Sequence, residues 1–248
     1  EPTTALDVTI QAGIVSLIQD LQKRFNMGLL LISHDLGMVA KIATTIAVMQ
    51  KGKIVEQGPA VRILKDPQHL YTKTLIAAEP GGKPTALMPD AQELLTARHI
   101  QVCFEKTQSF LANLSGKRPP TLKAVDQLSL SLRQGETLGI VGESGSGKST
   151  LAYALLRLQS CQAEALTFEG QSLLELSSKQ FRPWRQKLQI IFQDPFGSLN
   201  PRLSLLQIIA EGLTVHKPFM SFLEIEEEVC KSLQEVGLNP EWRYRYPH

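Results

Sequence analysis

Gly142, Glu143, Ser144, Gly145, Ser146, Gly147, Lys148, Ser149 and Thr150 form the densest run of chemically capable residues in the sequence. Their spacing fits G-x-x-x-x-G-K-[ST], a loop that cradles phosphate. The glycines let the backbone turn so that successive N–H groups converge on phosphate oxygens. A helix opening near Lys148 adds the partial positive charge of its N-terminus. The Lys148 ammonium is placed to reach β- and γ-phosphates, and the Ser149 hydroxyl to ligate Mg²⁺. Chance alone would produce the bare pattern in roughly 1 chain in 100 of this length. Here the apolar run Thr137–Val141 precedes the loop and a helical apolar pattern follows it, as the mechanism requires. The segment therefore reads as a nucleotide site, although the loop alone does not separate one class of nucleoside-triphosphate enzyme from another.

A second constellation lies about 45 residues beyond Lys148, in KLQIIFQDPFGSLNPR (Lys187–Arg202). A strand pattern ends at Gln193, and Asp194-Pro195 stops it, because proline cannot donate to a ladder. The Gln193 side-chain oxygen can contact Mg²⁺ or an attacking water. Taken alone, an ordinary polar strand end is the better reading of Gln193. A third set lies near the start: Glu1-Pro2-Thr3-Thr4-Ala5-Leu6-Asp7, then a helix, then Gly28–Ser33 followed by His34-Asp35.

Together GESGSGKST and FQDPFGSLNPR resemble ATP-binding-cassette ATPases of the peptide and nickel importer subfamily. The resemblance implies that residues 142–150 are the Walker A and that Gln193 is the Q-loop glutamine. EPTTALD resembles the end of a Walker B plus the D-loop, which implies Glu1 as catalytic glutamate and Asp7 as D-loop aspartate. SHD at residues 33–35 resembles the H-loop, with His34 as the switch histidine. Gly52–Pro80 resembles the tail that closes such cassettes. The implied ligands are ATP and Mg²⁺. The implied partner is a membrane permease, faced by the segment from Asp194 to about Leu213, with a substrate-binding protein engaged indirectly. The implied role is to couple ATP hydrolysis to import of oligopeptides or dipeptides, from the cytoplasmic side of the inner membrane as a peripheral subunit.

The order of motifs is inverted: Walker B end, D-loop, H-loop and tail come before Walker A and Q-loop. That order resembles a fused double-cassette protein read from the end of one cassette into the start of the next. Residues 1–80 are then the C-terminal half of a first cassette, 81–97 a linker, and 98–248 the N-terminal half of a second. In the family two cassettes pair around two ATP molecules. Glu1 and His34 would serve one site and Lys148 and Gln193 the other. No LSGGQ-like signature occurs; LANLSGKR (Leu111–Arg118) lacks the following Gly-Gln and precedes the Walker A. The chain reads as a fragment that binds ATP but does not turn it over alone.

The elements that must position these residues read as α/β: a P-loop fold with a parallel sheet, flanking helices and an antiparallel β subdomain. Apolar residues recur at helical spacing over Asp7–Arg24, with Asp7 as its N-cap. GLLLIS (Gly28–Ser33) suits a buried parallel strand. Helices are expected near Leu36–Ile42, Ala60–Lys65 and His69–Ala78, and a hairpin over Thr45–Gly58 with its turn at Lys51-Gly52-Lys53. Glu79–Asp90, with three prolines and two glycines, reads as a linker. Beyond it, strands are expected around Ile100–Phe104, Ala124–Leu132, Thr137–Val141, ALTFEG and KLQIIFQ. Helices are expected over Ser149–Leu158, Leu203–Leu213 and Phe222–Val236, and a loop over Thr107–Thr121. Glu226–Glu228 reads as a solvated helix face.

Composition narrows the classes further. The 248 residues are 43% hydrophobic and 20% charged, against intrinsic disorder. A balance of 26 basic and 24 acidic residues gives +2, and Lys117-Arg118 is too short a cluster, so nucleic acid is not an expected partner. Cys103, Cys161 and Cys230 are odd in number and lack metal-ligand spacing, which fits a reducing compartment. No apolar run approaches the roughly 18 residues that span a bilayer. Two other classes stay open: a soluble ABC ATPase of translation or DNA repair, and a non-catalytic remnant. The adenine-stacking residue is not assignable; Phe104 and Phe110 read first as packing residues.

Overall fold

A computed structural model describes residues 8–78, 81–82, 84, 86–105 and 121–248. Glu1, Asp7, Phe110 and the expected loop before Thr121 lie outside the described residues. The chain divides into two compact units. One combines Glu1–Gln92 with Leu132–Lys148, and the other combines Glu93–Ser131 with Ser149–His248.

In the first unit, helix α1 (Val8–Phe25) carries Lys23 and Arg24 in its last turn, where cations favour the negative end of the helix dipole. Asn26 takes a left-handed φ of 49°, and the Met27 N–H returns to the Gln22 carbonyl at 3.1 Å, closing the helix. Helix α2 (Leu36–Ile42) follows, capped by Asp35. Strands β1 (Thr45–Gln50) and β2 (Lys53–Pro59) pair antiparallel around Lys51-Gly52, whose φ values of 48° and 78° suit a two-residue hairpin turn. Their inward residues Ile46 and Val48 join Ala60 and Ile63 of α3 (Ala60–Lys65) in one core cluster. Tyr71 and Leu75 of α4 (Leu70–Ala77) pack against it.

Glu56 of β2 fastens this tail. Its two carboxylate oxygens accept the N–H groups of Gln68 and His69 at 2.9 and 3.0 Å, just ahead of α4. The Gln68 N–H, the Thr72 side chain and the His69 N–H pull the Glu56 carboxyl from the usual 4.5 to about 2.

The second unit holds a four-stranded sheet in the order β4-β3-β5-β6, with β3 spanning Glu93–Glu105, β4 Thr121–Arg133, β5 Ala165–Phe168 and β6 Gln171–Ser172. β3 pairs antiparallel with β5, Leu95 opposite Phe168 through Arg98 opposite Ala165. The inward set on β3 changes phase: Leu95 and Ala97 are buried, then Ile100 and Val102, with Arg98 and His99 both exposed between them. His99 has a φ of 47°, and its N–H donates to Ser129 Oγ at 2.9 Å. The extra residue acts as a bulge that keeps Ile100 and Val102 on the core face. Helix α5 (Lys148–Leu155) supplies buried Leu151 and Ala154. A short helix α6 (Ser178–Phe181) buries Phe181, and a 3₁₀ turn spans Arg182–Gln186.

Helices α7 (Leu205–His216) and α8 (Phe222–Glu235) each open on a full capping box, Ser204 with Gln207 and Ser221 with Glu224. They share a core of Leu206, Val229 and Leu233. Glu226 is not part of a solvated face as expected. Its Oε1 accepts from Arg243 Nε at 2.7 Å and from the Tyr244 hydroxyl, and its side chain is only 18% exposed. This ties α8 to the 3₁₀ turn at Pro240–Tyr244.

Three expected strands do not pair. Gly28–Ser33, Thr137–Val141 and Lys187–Gln193 lie in no ladder among the described residues, so the expected parallel sheet is not formed by them. Leu30, Val141 and Ile191 are 87%, 93% and 91% exposed. An extended apolar run becomes a strand only when a neighbour accepts its N–H and C=O groups.

Because the Glu56 carboxyl is depressed on folding, its contribution is complete above about pH 4.5 and is lost as pH falls towards 2. Thermal melts of the wild type should lose stability across that window. Glu56→Gln should flatten the dependence while lowering the melting temperature at neutral pH.

Candidate nucleotide site

The phosphate-loop residues assemble locally as their types demand. Gly145 and Gly147 adopt φ values of 77° and 93°, a region that side-chain-bearing residues seldom enter. Gly142 is needed for space: a Cβ there would meet Ser146 Oγ at 2.8 Å. The Lys148 ammonium lies over its own loop, donating to the carbonyls of Gly142 at 2.7 Å and Glu143 at 2.6 Å and to Ser146 Oγ at 3.2 Å. Helix α5 begins at Lys148 and includes Ser149 and Thr150 in its first turn. The donor set fits a polyphosphate: a cation at the loop, backbone turned by glycine, and a helix N-terminus. It also fits Mg²⁺, which keeps most of its ligands as water and phosphate oxygen and takes few from protein. Ser149 would supply a hydroxyl to that ion.

Gln193 follows Phe192, whose ring lies 6.4 Å from that of Tyr153 on α5 at an interplanar angle of 51°. The helix that leaves the phosphate loop thereby touches the residue before Gln193. Beyond Gln193, Asp194 Oδ1 accepts the Gly197 N–H at 2.9 Å, and a Cβ at Gly197 would overlap the Asp194 carboxylate. Glycine at 197 is thus required by the turn it closes.

His34 is exposed at the end of the unpaired 28–33 segment. Asp35 beside it caps α2, its Oδ1 accepting the Met38 N–H at 2.9 Å. That bond foremost, together with Gln11 and the charge on His34, holds the Asp35 carboxyl below its ordinary range despite partial burial. Two contacts carried no sequence signal, Gln11 to Asp35 and Tyr153 to Phe192, because neither pair belongs to a motif.

Residues 125–246 match a family model described as ABC transporter. The whole chain aligns at 47% identity with "Uncharacterized ABC transporter ATP-binding protein YejF" of Escherichia coli K12, covering 46% of that protein. It aligns at 47% with "Peptidoglycan transport ATP-binding protein YejF" of Agrobacterium fabrum, covering 44%. It aligns at 39% with "Glutathione import ATP-binding protein GsiA" of Escherichia coli O1:K1, covering 43%. The chain thus spans less than half the length of these curated relatives. Among solved structures, the ATP-binding cassette MJ0796, a dimer in a post-hydrolysis state with ADP and Pi, matches with a TM-score of 0.50 at 19% identity. That match covers 62% of each chain.

Gly197→Ala should release the Asp194 turn. Amide exchange at residues 197 and 198 should rise about fivefold, equivalent to about 1 kcal/mol for one hydrogen bond, without a change in global melting. Hydrogen exchange read by mass spectrometry checks this, and unchanged exchange would remove the steric argument. The phosphate loop, the helix that opens on it and these matches agree: the chain has the fold of an ABC-type P-loop ATPase, and residues 125–246 match the ABC transporter family.

Proposed function

We propose that the chain is the central part of a two-cassette importer ATPase that couples ATP hydrolysis to uptake of small peptides. The observation that carries this reading is the phosphate loop closed on the Lys148 ammonium and opening into α5. Lys148 would bind the β- and γ-phosphates, Ser149 and Gln193 would hold Mg²⁺, and Gln193 would sense the γ-phosphate. In the other site Glu1 polarises the attacking water and His34 holds it in line, with Asp7 as the D-loop aspartate. Bound Mg²⁺ neutralises charge on the transferring phosphoryl group. The peptide class is favoured by one relative's name, glutathione import, since glutathione is itself a tripeptide.

Residues 1–80 and 98–248 are proposed as halves of two different cassettes joined by 81–97. Two findings support this. The relatives are more than twice as long as the chain. Apolar strand-length segments also stand exposed without a ladder partner among the described residues.

The permease is proposed to engage the region after Gln193. There α7 and α8 frame an apolar groove of about 400 Å³ lined by Leu203, Leu206, Ala210, Val215, Phe222 and Ile225, with Gln207 and Glu211 also on its wall. A cytoplasmic permease helix with one apolar face fits such a groove. No helix among the described residues is long and apolar enough to cross a membrane. The proposed station, from the importer reading, is peripheral at the cytoplasmic face, with a substrate-binding protein reached only through the permease.

Calorimetric titration with Mg-ATP tests the nucleotide reading. Lys148→Ala should weaken binding by about 10- to 100-fold, the range of one charged hydrogen-bonding group at about 1.5–3 kcal/mol. This chain by itself should release no phosphate above the Lys148→Ala background. Absence of ATP binding by the folded wild type, or equal binding by the variant, would overturn the reading. In the assembled transporter, Ala210→Glu should cut recovery of the permease at least fivefold while leaving ATP affinity intact.

A further inference from the structure

One side-chain bond between two helices of the first unit reaches the residue next to His34. Gln11 lies on α1, one turn beyond Asp7 in sequence, and is half-buried. Its Nε2 donates to Asp35 Oδ2 at 3.2 Å and sits 3.8 Å from Met38 Sδ. The other Asp35 oxygen is already committed to the Met38 N–H at the N-cap of α2. The Asp35 N–H in turn donates to Ser33 Oγ at 3.0 Å. His34 therefore has an anchored residue on each side, while its own side chain is exposed.

We infer that Gln11 is a positioning residue for phosphoryl transfer, fixing the helix after Asp7 to the cap that holds the backbone at His34. The inference rests on reading His34 as the residue that aligns γ-phosphate and water. The two Asp35 oxygens have separable tasks. Oδ1 keeps α2 capped whether or not Gln11 is present. Oδ2 binds that capped helix to α1. Loss of Gln11 thus leaves both helices formed but frees one to shift against the other. A shift of about 1 Å acts on the reacting geometry far more than on nucleotide affinity. The side-chain type matters as well. A carboxylate at 11 would face the Asp35 carboxylate, whereas an amide donates to it.

The test uses the complete two-cassette ATPase assembled with its permease, measuring phosphate release over a range of Mg-ATP. Gln11→Leu should lower kcat about 10-fold with KM changed less than twofold, on the scale expected for a small misplacement. Gln11→Glu should show the same loss. Gln11→Glu combined with Asp35→Asn should recover most of it, because the asparagine amide donates to the new carboxylate and still caps α2. Hydrogen exchange in Gln11→Leu should rise at the amides of His34 and Asp35 but not at Met38. Unchanged kcat in Gln11→Leu, with His34→Ala inactive, would overturn the positioning role and leave the reading of His34 standing. Parallel losses in kcat and ATP affinity without rescue by the double variant would also overturn it. Full turnover by His34→Ala would overturn both.

Discussion

A charged side chain folded back on nearby backbone holds each turn that carries a candidate site residue in this protein. The Lys148 ammonium gathers two carbonyls of its own loop, the Asp35 carboxylate takes the Met38 N–H, and the Asp194 carboxylate takes the Gly197 N–H. Such bonds are short and directional because one partner is ionised. They matter here because the segments leading to these residues, 28–33, 137–141 and 187–193, have no ladder among the described residues to hold them. The local anchors fix the turns that carry the candidate site residues.

The same division explains how the two ionised anchors at helix starts differ in use. Glu56 and Asp35 both satisfy N–H groups at or near helix N-termini, which lack intrahelical partners. Glu56 is buried and joins a hairpin to the tail helix that packs on it, a purely structural task. Asp35 is half-exposed and keeps one oxygen for a neighbouring helix, so its environment carries a mechanical link as well as a cap. Glu226 follows the first pattern, since Arg243 and Tyr244 close on a single oxygen and pin the chain's last turn to α8.

Much of the fold was legible in the sequence because helices and hairpins are local. Leu36–Ile42 and Ala60–Lys65 coincide with their expected bounds, and the Lys51-Gly52 turn follows from glycine after a residue able to take a positive φ. The three unpaired runs were read as strands because their composition is that of buried strands. Whether such a run pairs is decided by a neighbour that the run itself does not encode. The bulge at His99 was invisible for a related reason: only the burial of Ile100 and Val102 on the same face as Leu95 reveals the extra residue. At the site, the phosphate loop was legible as a motif because its glycines, lysine and serine are spaced to meet phosphate. The Gln11 and Tyr153 contacts were not, since a lone glutamine or tyrosine on a helix takes its meaning only from what folds against it.

The exposed runs around Leu30, Val141 and Ile191 bear on how the chain behaves in solution. Unpaired apolar backbone is a template for any strand that meets it, including one from another copy. A net charge of +2 offers little electrostatic repulsion to keep copies apart. A complementary strand within the same polypeptide would act at a high effective concentration and win that competition without any special affinity. If the chain continues into partner cassettes as proposed, covalent continuity would favour that intramolecular pairing over a concentration-dependent self-association.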